Sequence, residues 1–362
     1  MTGAAACMAG FEGMGVIIHG SSGCYFYPAT LLHTLLHSTF ISEEDVIFGS
    51  EKRIVETIDE LSPRYERLAV LLTCVPAVTG DDLKRMIGRD DVIIVDSPGF
   101  AGSFEEGYTR AVSQLPCITT GDVPGVNIDG LSLADPFCHG NAIEIERLLG
   151  KAGVRVATRF CLDRLDALGH CADNTVGANP DLQSGKGRYL GSMLGLDNIR
   201  QTVTELARYN PLDADAVCRE ADMAEERLAA ACDKYLRRYE PPSVAVSGNF
   251  SYAVFAAGMI ERYLDGAICT IASRNAVGPS PYNVVQTDDL DVITGLISSN
   301  DPDLVVGSSF ERSVAPGCAF VGIIPPLRGQ VRLRAQPLAG TEGALNFMEQ
   351  VLNACIDRQK RK

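Results

Sequence analysis

No apolar run in the chain reaches the roughly 18–20 residues that a membrane-spanning helix needs. Positive charge is scarce, with 32 Lys and Arg against 46 Asp and Glu and a formal net charge of −14. That balance argues against a nucleic-acid or anionic-membrane surface, since both want clustered cations. The opening stretch MTGAAACMAGFEGMG lacks the basic region of a secretory signal, so a cytoplasmic protein is expected. In such a compartment the 12 cysteines are not expected to form disulfides. No two of them stand at C-x₂₋₄-C spacing, which sets aside the usual zinc pattern. A nucleotide loop is missing as well. SGKG (Ser184–Gly187) has neither the earlier glycine nor the Ser/Thr after Lys of a Walker A motif, so no nucleotide is expected on this chain. Internal repeats and low-complexity tracts are also absent.

What the chain does have is apolar material, 46% of 362 residues, enough for sizeable cores. Short β-branched runs alternate with longer amphipathic stretches. GVIIHG (15–20), RLAVLLTC (67–74), DVIIVDSPGF (91–100), VRVATRF (154–160), SVAVSGN (243–249), AICTIAS (267–273), DLVVGSS (303–309) and AFVGIIPP (319–326) read as strands. They are continuous rather than alternating, the mark of strands buried on both faces of a parallel sheet. Helical spacing recurs at Ile54, Val55, Ile58 and Leu61, and at Leu345, Met348, Val351, Leu352 and Cys355. Residues 197–240 read as helix-rich. Alternation of this kind predicts an α/β protein with two to three Rossmann-like, doubly wound parallel-sheet domains. Boundaries are expected at Pro116–Val123 and near Pro241-Pro242, giving domains 1–120, 121–240 and 241–362.

Three cysteines fall where loops should leave or enter elements. Cys24 follows the first strand in HGSSGC, Cys74 closes RLAVLLTC, and Cys7 precedes the helix-like AGFEGMG. Ligands of open parallel sheets gather outside the carboxyl ends of strands. Thiolates are soft and suit iron–sulfur clusters or zinc. Spacings of 17 and 50 residues favour a ligand set assembled by the fold rather than by a local loop. Gly20 and Gly23 permit close backbone approach, and their amides are candidates for hydrogen bonds to cluster sulfides. His33 and His37 stand at i, i+4 in LLHTLLH and, with His139 in DPFCHGN, are candidates for a substrate pocket. For all three, packing or a turn before a helix is the plainer role. Asp81-Asp82 is expected to cap a helix. The other cysteines, Cys161 and Cys171 among them, lie mostly on apolar runs and are expected to fill core.

The combination ACMAGFEGMGVIIHGSSGC, then DVIFGSEKRIVETIDEL, then LLTCVPAVTGDDL, then VDSPGFAGSFEEGYTRAV resembles the nitrogenase component 1 superfamily. SGKGRYLGSMLGLD, DPDLVVGSSFERSV and GTEGALNFMEQVLNA continue the likeness downstream. The resemblance implies a cluster, of 4Fe–4S type, held by Cys7, Cys24 and Cys74 at a subunit interface. It implies a homodimer, such as the compact relatives that reduce tetrapyrroles, for example the nickel-sirohydrochlorin diamide reductive cyclase. It also implies electron delivery by a separate ATP-hydrolysing iron protein. Function is then an ATP-dependent two-component reduction, with a non-catalytic scaffold or carrier of a metallocluster or tetrapyrrole as the alternative. All five histidines (19, 33, 37, 139 and 170) lie in the first half, so the late histidine that holds the cofactor in dinitrogen-reducing relatives has no counterpart. A dinitrogen-reducing subunit is therefore not expected.

Overall fold

The computed structural model describes residues 1–117 and 123–360. The chain opens with α1 (Thr2–Met8), β1 (Met14–His19), α2 (Ser22–Leu32), β2 (His37–Ser38), α3 (Glu43–Phe48) and α4 (Glu51–Leu61). It continues through β3 (Arg67–Leu72), α5 (Cys74–Thr79), α6 (Leu83–Ile87), β4 (Val92–Asp96) and α7 (Phe104–Ser113). Then come β5 (Val126–Asp129), α8 (Cys138–Lys151), β6 (Val156–Arg159), β7 (Asn174–Gly177), β8 (Arg188–Ser192), α9 (Leu196–Leu206) and α10 (Ala214–Leu236). The last stretch holds β9 (Ser243–Gly248), α11 (Phe250–Leu264), β10 (Ala267–Ser273), β11 (Val284–Gln286), α12 (Leu290–Asn300), β12 (Leu304–Gly307), α13 (Ser309–Val314), β13 (Ala319–Gly322) and α14 (Gly340–Gln359).

Among the described residues three sheets result, in the orders β2-β1-β3-β4, β6-β5-β7-β8 and β11-β10-β9-β12-β13. The first and the last are parallel throughout. This is the doubly wound α/β arrangement the continuous apolar runs predicted. In the first sheet the winding reverses between β1 and β3, whose registers run from Met14 opposite Arg67 to His19 opposite Leu72. In the last sheet it reverses between β9 and β12. Such reversal points open a crevice at the carboxyl ends of the strands.

By its contacts the chain divides into two compact units. One comprises Met1–Ala134, Ala157–Thr175 and Leu182–Tyr189; the other comprises Asp135–Val156, Val176–Asp181 and Leu190–Lys362. Of the expected boundaries, Pro116–Val123 falls largely on residues 118–122, outside the described residues. In the first unit, Ile54, Ile58 and Leu61 of α4 recur at helical spacing and pack with Ile17, Leu68 and Val70 of the sheet. The sheet's other face packs on α1 and α7 through Ala4–Met8, Val16, Ile18, Leu71, Tyr108, Ala111 and Val112. In the second unit, buried Asn141 of α8 fixes the start of α14. Its carbonyl oxygen accepts from the Leu338 and Ala339 amides, while its amide donates to Tyr252 of α11.

Several local expectations are corrected. Cys7 lies inside α1, whose small residues TGAAACM form about two buried turns, rather than ahead of a helix at AGFEGMG. Cys74 opens α5 instead of ending β3. Cys138 and His139 belong to the first turn of α8, not to a loop before it.

Candidate metal centre

The site begins where β1 and β3 end side by side. Thr73 donates its hydroxyl to the His19 carbonyl at 2.8 Å, closing the two strand ends together. Gly20 is required there, since a Cβ would sit 2.1 Å from Thr73 Oγ1. Its amide donates to Thr39 Oγ1 at 3.1 Å, so it does not point at a sulfur. His19 is fully buried beneath this edge. Its Nδ1 meets Thr39 Oγ1 at 3.1 Å, and its Nε2 faces Asp81 and Ser50, each at 3.2 Å. Burial pulls the His19 pKa below its ordinary value, against the Asp81 carboxylate that would raise it. Asp81 therefore braces the strand end, while Asp82 alone caps a helix, accepting from the Arg85 amide of α6.

Directly above that edge stand Cys24, in the first turn of α2, and Cys74, the first residue of α5. Both thiols are half-buried. Both lie close enough to the Met1 amino group to act on its charge, as does Arg110. Cys74 Sγ accepts the Gly99 amide at 3.0 Å, from the turn that follows β4. A Cβ on residue 99 would meet the sulfur at 3.2 Å, tighter than an ordinary contact, so glycine suits this position. Near them in the chain, Phe26, Tyr27 and Val78, with Phe100 next to Gly99, are between 66% and 76% exposed. Large apolar side chains in such a group mark a contact surface rather than an ordinary solvated face.

Cys7 does not join them. It is completely buried in α1, and its sulfur lies 2.7 Å from that of Cys161, also completely buried. Among the described residues, no three His, Cys, Asp or Glu side chains gather where one metal ion could sit. A polynuclear cluster spreads its thiolates over different irons, so a wider set of sulfurs is its requirement. Cys24 and Cys74 are soft, half-buried thiols, and Cys74 stands beside a backbone amide. Cys7, as placed, is turned to another partner.

The remaining candidates separate. α2 stops at Leu32, and His33 takes the left-handed conformation at φ 50°. His33 and His37 therefore do not share a helix face. His33 is exposed, and His37 on β2 bonds Tyr65 through Nε2 at 2.7 Å. His139 is exposed on α8. Gly23 lies in the open first turn of α2 without a left-handed backbone. Gly99 and Cys161 were not singled out from sequence. The SPG turn after a strand was the available signal for the first; for Cys161, read as core filler, there was none. Ser184–Gly187 forms a loop pinned on Asp129, which accepts from the Ser184 amide and hydroxyl at 2.7 Å each, and it leads into strand β8 rather than a helix.

The family model for nitrogenase component 1 type oxidoreductases matches residues 1–179. Over those residues the chain is similar to the nitrogenase component 1 superfamily. The nitrogenase iron-molybdenum cofactor biosynthesis protein NifE of Clostridium pasteurianum is 30% identical over 165 residues, covering 41% of this chain but only 36% of NifE. The nitrogenase molybdenum-iron protein beta chain of Sinorhizobium fredii (strain NBRC 101917 / NGR234) is 23% identical over 444 aligned residues, covering 99% of this chain and 83% of that one. The solved structure of nitrogenase Cp1 at pH 6.5 superimposes with a TM-score of 0.84 at 17% identity, covering 100% of this chain and 92% of that chain. That likeness establishes the nitrogenase component 1 fold. Members of this superfamily are oxidoreductases that bind iron–sulfur clusters, or scaffolds for cofactor assembly. Among the described residues no helix is long and apolar enough to cross a membrane.

Proposed function

We propose that the protein is the cluster-bearing component of a nitrogenase-like, ATP-dependent two-component reductase. A separate iron protein hydrolyses ATP and delivers single electrons. The observation that carries this reading is the pair Cys24 and Cys74, half-buried thiols at the winding reversal of the first sheet, with exposed apolar side chains near them in the chain. Cys24 and Cys74, with Cys7 once freed from its present partner, would hold an iron–sulfur cluster of 4Fe–4S type. The cluster, when bound, supplies one-electron transfer at low potential. The chain's own residues place and tune it. The Gly99 amide on Cys74 withdraws charge from sulfur and favours the reduced state. Phe26, Tyr27, Val78 and Phe100 exclude water once covered by a second copy of the chain, making a homodimer the favoured assembly. The substrate is a small molecule other than dinitrogen, with a tetrapyrrole the leading class, given that no histidine follows His170.

A scaffold or carrier role is the second reading, favoured by the likeness to NifE, a cofactor biosynthesis protein. Anaerobic mixing of the reduced, cluster-loaded protein with a nitrogenase-type iron protein, MgATP and dithionite separates them. Catalytic turnover of an added tetrapyrrole supports the reductase. Stoichiometric binding without product, at a reduced cluster, overturns it in favour of the scaffold.

A further inference from the structure

Cys7 and Cys161 are 154 residues apart, yet their sulfurs lie 2.7 Å from one another, both wholly buried and both free thiols. The backbone on each side locks this approach. Gly10, just past α1, presses its Cα on the Cys161 carbonyl so closely that a Cβ would sit 1.8 Å from the oxygen. Two residues on, the Glu12 amide donates to the Asp163 carbonyl at 3.1 Å, and Glu12 bridges Arg164 in parallel register. On the other side, the Phe160 amide bonds the Ile128 carbonyl of β5 at 2.9 Å. Cys161 itself is held at φ 65°, a left-handed conformation that a cysteine rarely adopts and that costs on the order of 1 kcal/mol or more. The surroundings therefore over-determine its position opposite Cys7. Ordinary core filling requires neither the sulfur contact nor the strained backbone.

We infer that Cys7 and Cys161 form a reversible disulfide, which switches Cys7 between iron ligation and a covalent lock. The two-electron oxidant is a peroxide, small enough to reach a buried pair during local opening. Peroxide oxidises one thiol to a sulfenic acid and releases one water. The other sulfur attacks the sulfenic sulfur, the S–S bond forms, and the hydroxyl leaves as a second water. Two electrons leave the thiol pair and both protons end in water. A covalent bond of about 2.05 Å is shorter than the observed contact by well under an ångström, and the flanking backbones are already joined. The pair's proximity acts as a high effective concentration. Competition with iron rests on the cluster reading above; the disulfide itself does not.

The test uses the full chain, cluster-free and anaerobic, exposed to stoichiometric hydrogen peroxide, then blocked with N-ethylmaleimide. Cyanogen bromide followed by trypsin isolates each cysteine, since Thr2–Met8 contains only Cys7 and Phe160–Arg164 contains only Cys161. The inference predicts these two peptides linked as the dominant oxidised product, released by dithiothreitol and absent in Cys161→Ser. Maleimide on both cysteines after peroxide, in wild-type protein that remains folded by circular dichroism, overturns it. Wild type carries this result by itself, so a misfolded Cys161→Ser does not obscure it. In a second arm, protein loaded with iron and sulfide before peroxide is expected to yield several-fold less linked peptide. An unchanged yield at full iron content would refute the competition while leaving the disulfide standing. Failure to load iron at all would count against the cluster reading instead.

Discussion

Replacing His19 by alanine tests whether the reversal of the first sheet is pinned by the buried network beneath it. His19 is completely buried and bonds Thr39, Asp81 and Ser50. The substitution removes two or three buried hydrogen bonds, each worth about 1 kcal/mol. It also leaves a ring-sized void in a packed layer, which for large-to-small changes brings the total cost to about 3–5 kcal/mol. Asp81 and Ser50 keep their mutual bond, and Thr39 keeps the Gly20 amide, so no group is wholly orphaned. In urea, with a slope near 2 kcal/mol per molar, the transition should fall by about 1.5–2.5 M. Because the chain has two units, hydrogen exchange of β1 and β3 should report the loss while β9 and β12 stay protected. A pH arm follows from the histidine's lowered pKa. The unfolded chain takes up this proton below about pH 6.5 and the folded chain does not. The neutral ring's contribution is thus complete above that pH and is lost as pH falls, by up to about 1.4 kcal/mol per unit until the folded pKa is reached. His19→Gln, which cannot titrate, should flatten this slope between pH 7.5 and 5.5. A His19→Ala protein destabilised by less than about 1 kcal/mol would refute the pinning argument.

Gly20→Ala drives a methyl into Thr73 Oγ1 and should cost about 1–3 kcal/mol in urea unfolding; the Thr73→Ala background should recover part of it, as a double-mutant cycle reads out. Gly99→Ala pushes on Cys74 Sγ and its amide bond, so the reconstituted cluster should show an altered EPR spectrum and a more negative potential, with stability changed by less than about 1 kcal/mol. Phe26→Asp or Phe100→Asp places charge on the exposed apolar surface, and sedimentation velocity should show the proposed dimer converted to monomer without loss of helical signal.

Seven strands of the two parallel sheets were legible as unbroken apolar runs, whereas the short, less buried edge strands β2 and β11 were not. Nor was β5. Its sequence VNID carries residues that strands usually avoid. Buried Asn127 escapes the penalty by bonding both backbone polar groups of Ala172, and Asp129 by accepting from Ser184 and Gly130. Such compensation comes from distant chain and leaves no local mark. α1 was hidden for another reason, since seven small or apolar residues carry no amphipathic stripe. The i, i+4 spacing of His33 and His37 suggested a shared face, but a left-handed residue at 33 ends the helix. That Cys24 and Cys74 lie just past the ends of β1 and β3 followed from the strand runs. The Cys7–Cys161 contact joins segments 154 residues apart, which no motif spacing encodes.

Cys24 and Cys74 are proposed to grip iron. Anaerobic reconstitution with iron and sulfide, followed by metal analysis and EPR of wild type, Cys24→Ala and Cys74→Ala, addresses this most directly. Wild type should bind iron and inorganic sulfide with a cluster signal on reduction, and each variant should lose most of both while remaining folded. A colourless wild type, or variants with undiminished iron, would contradict the account.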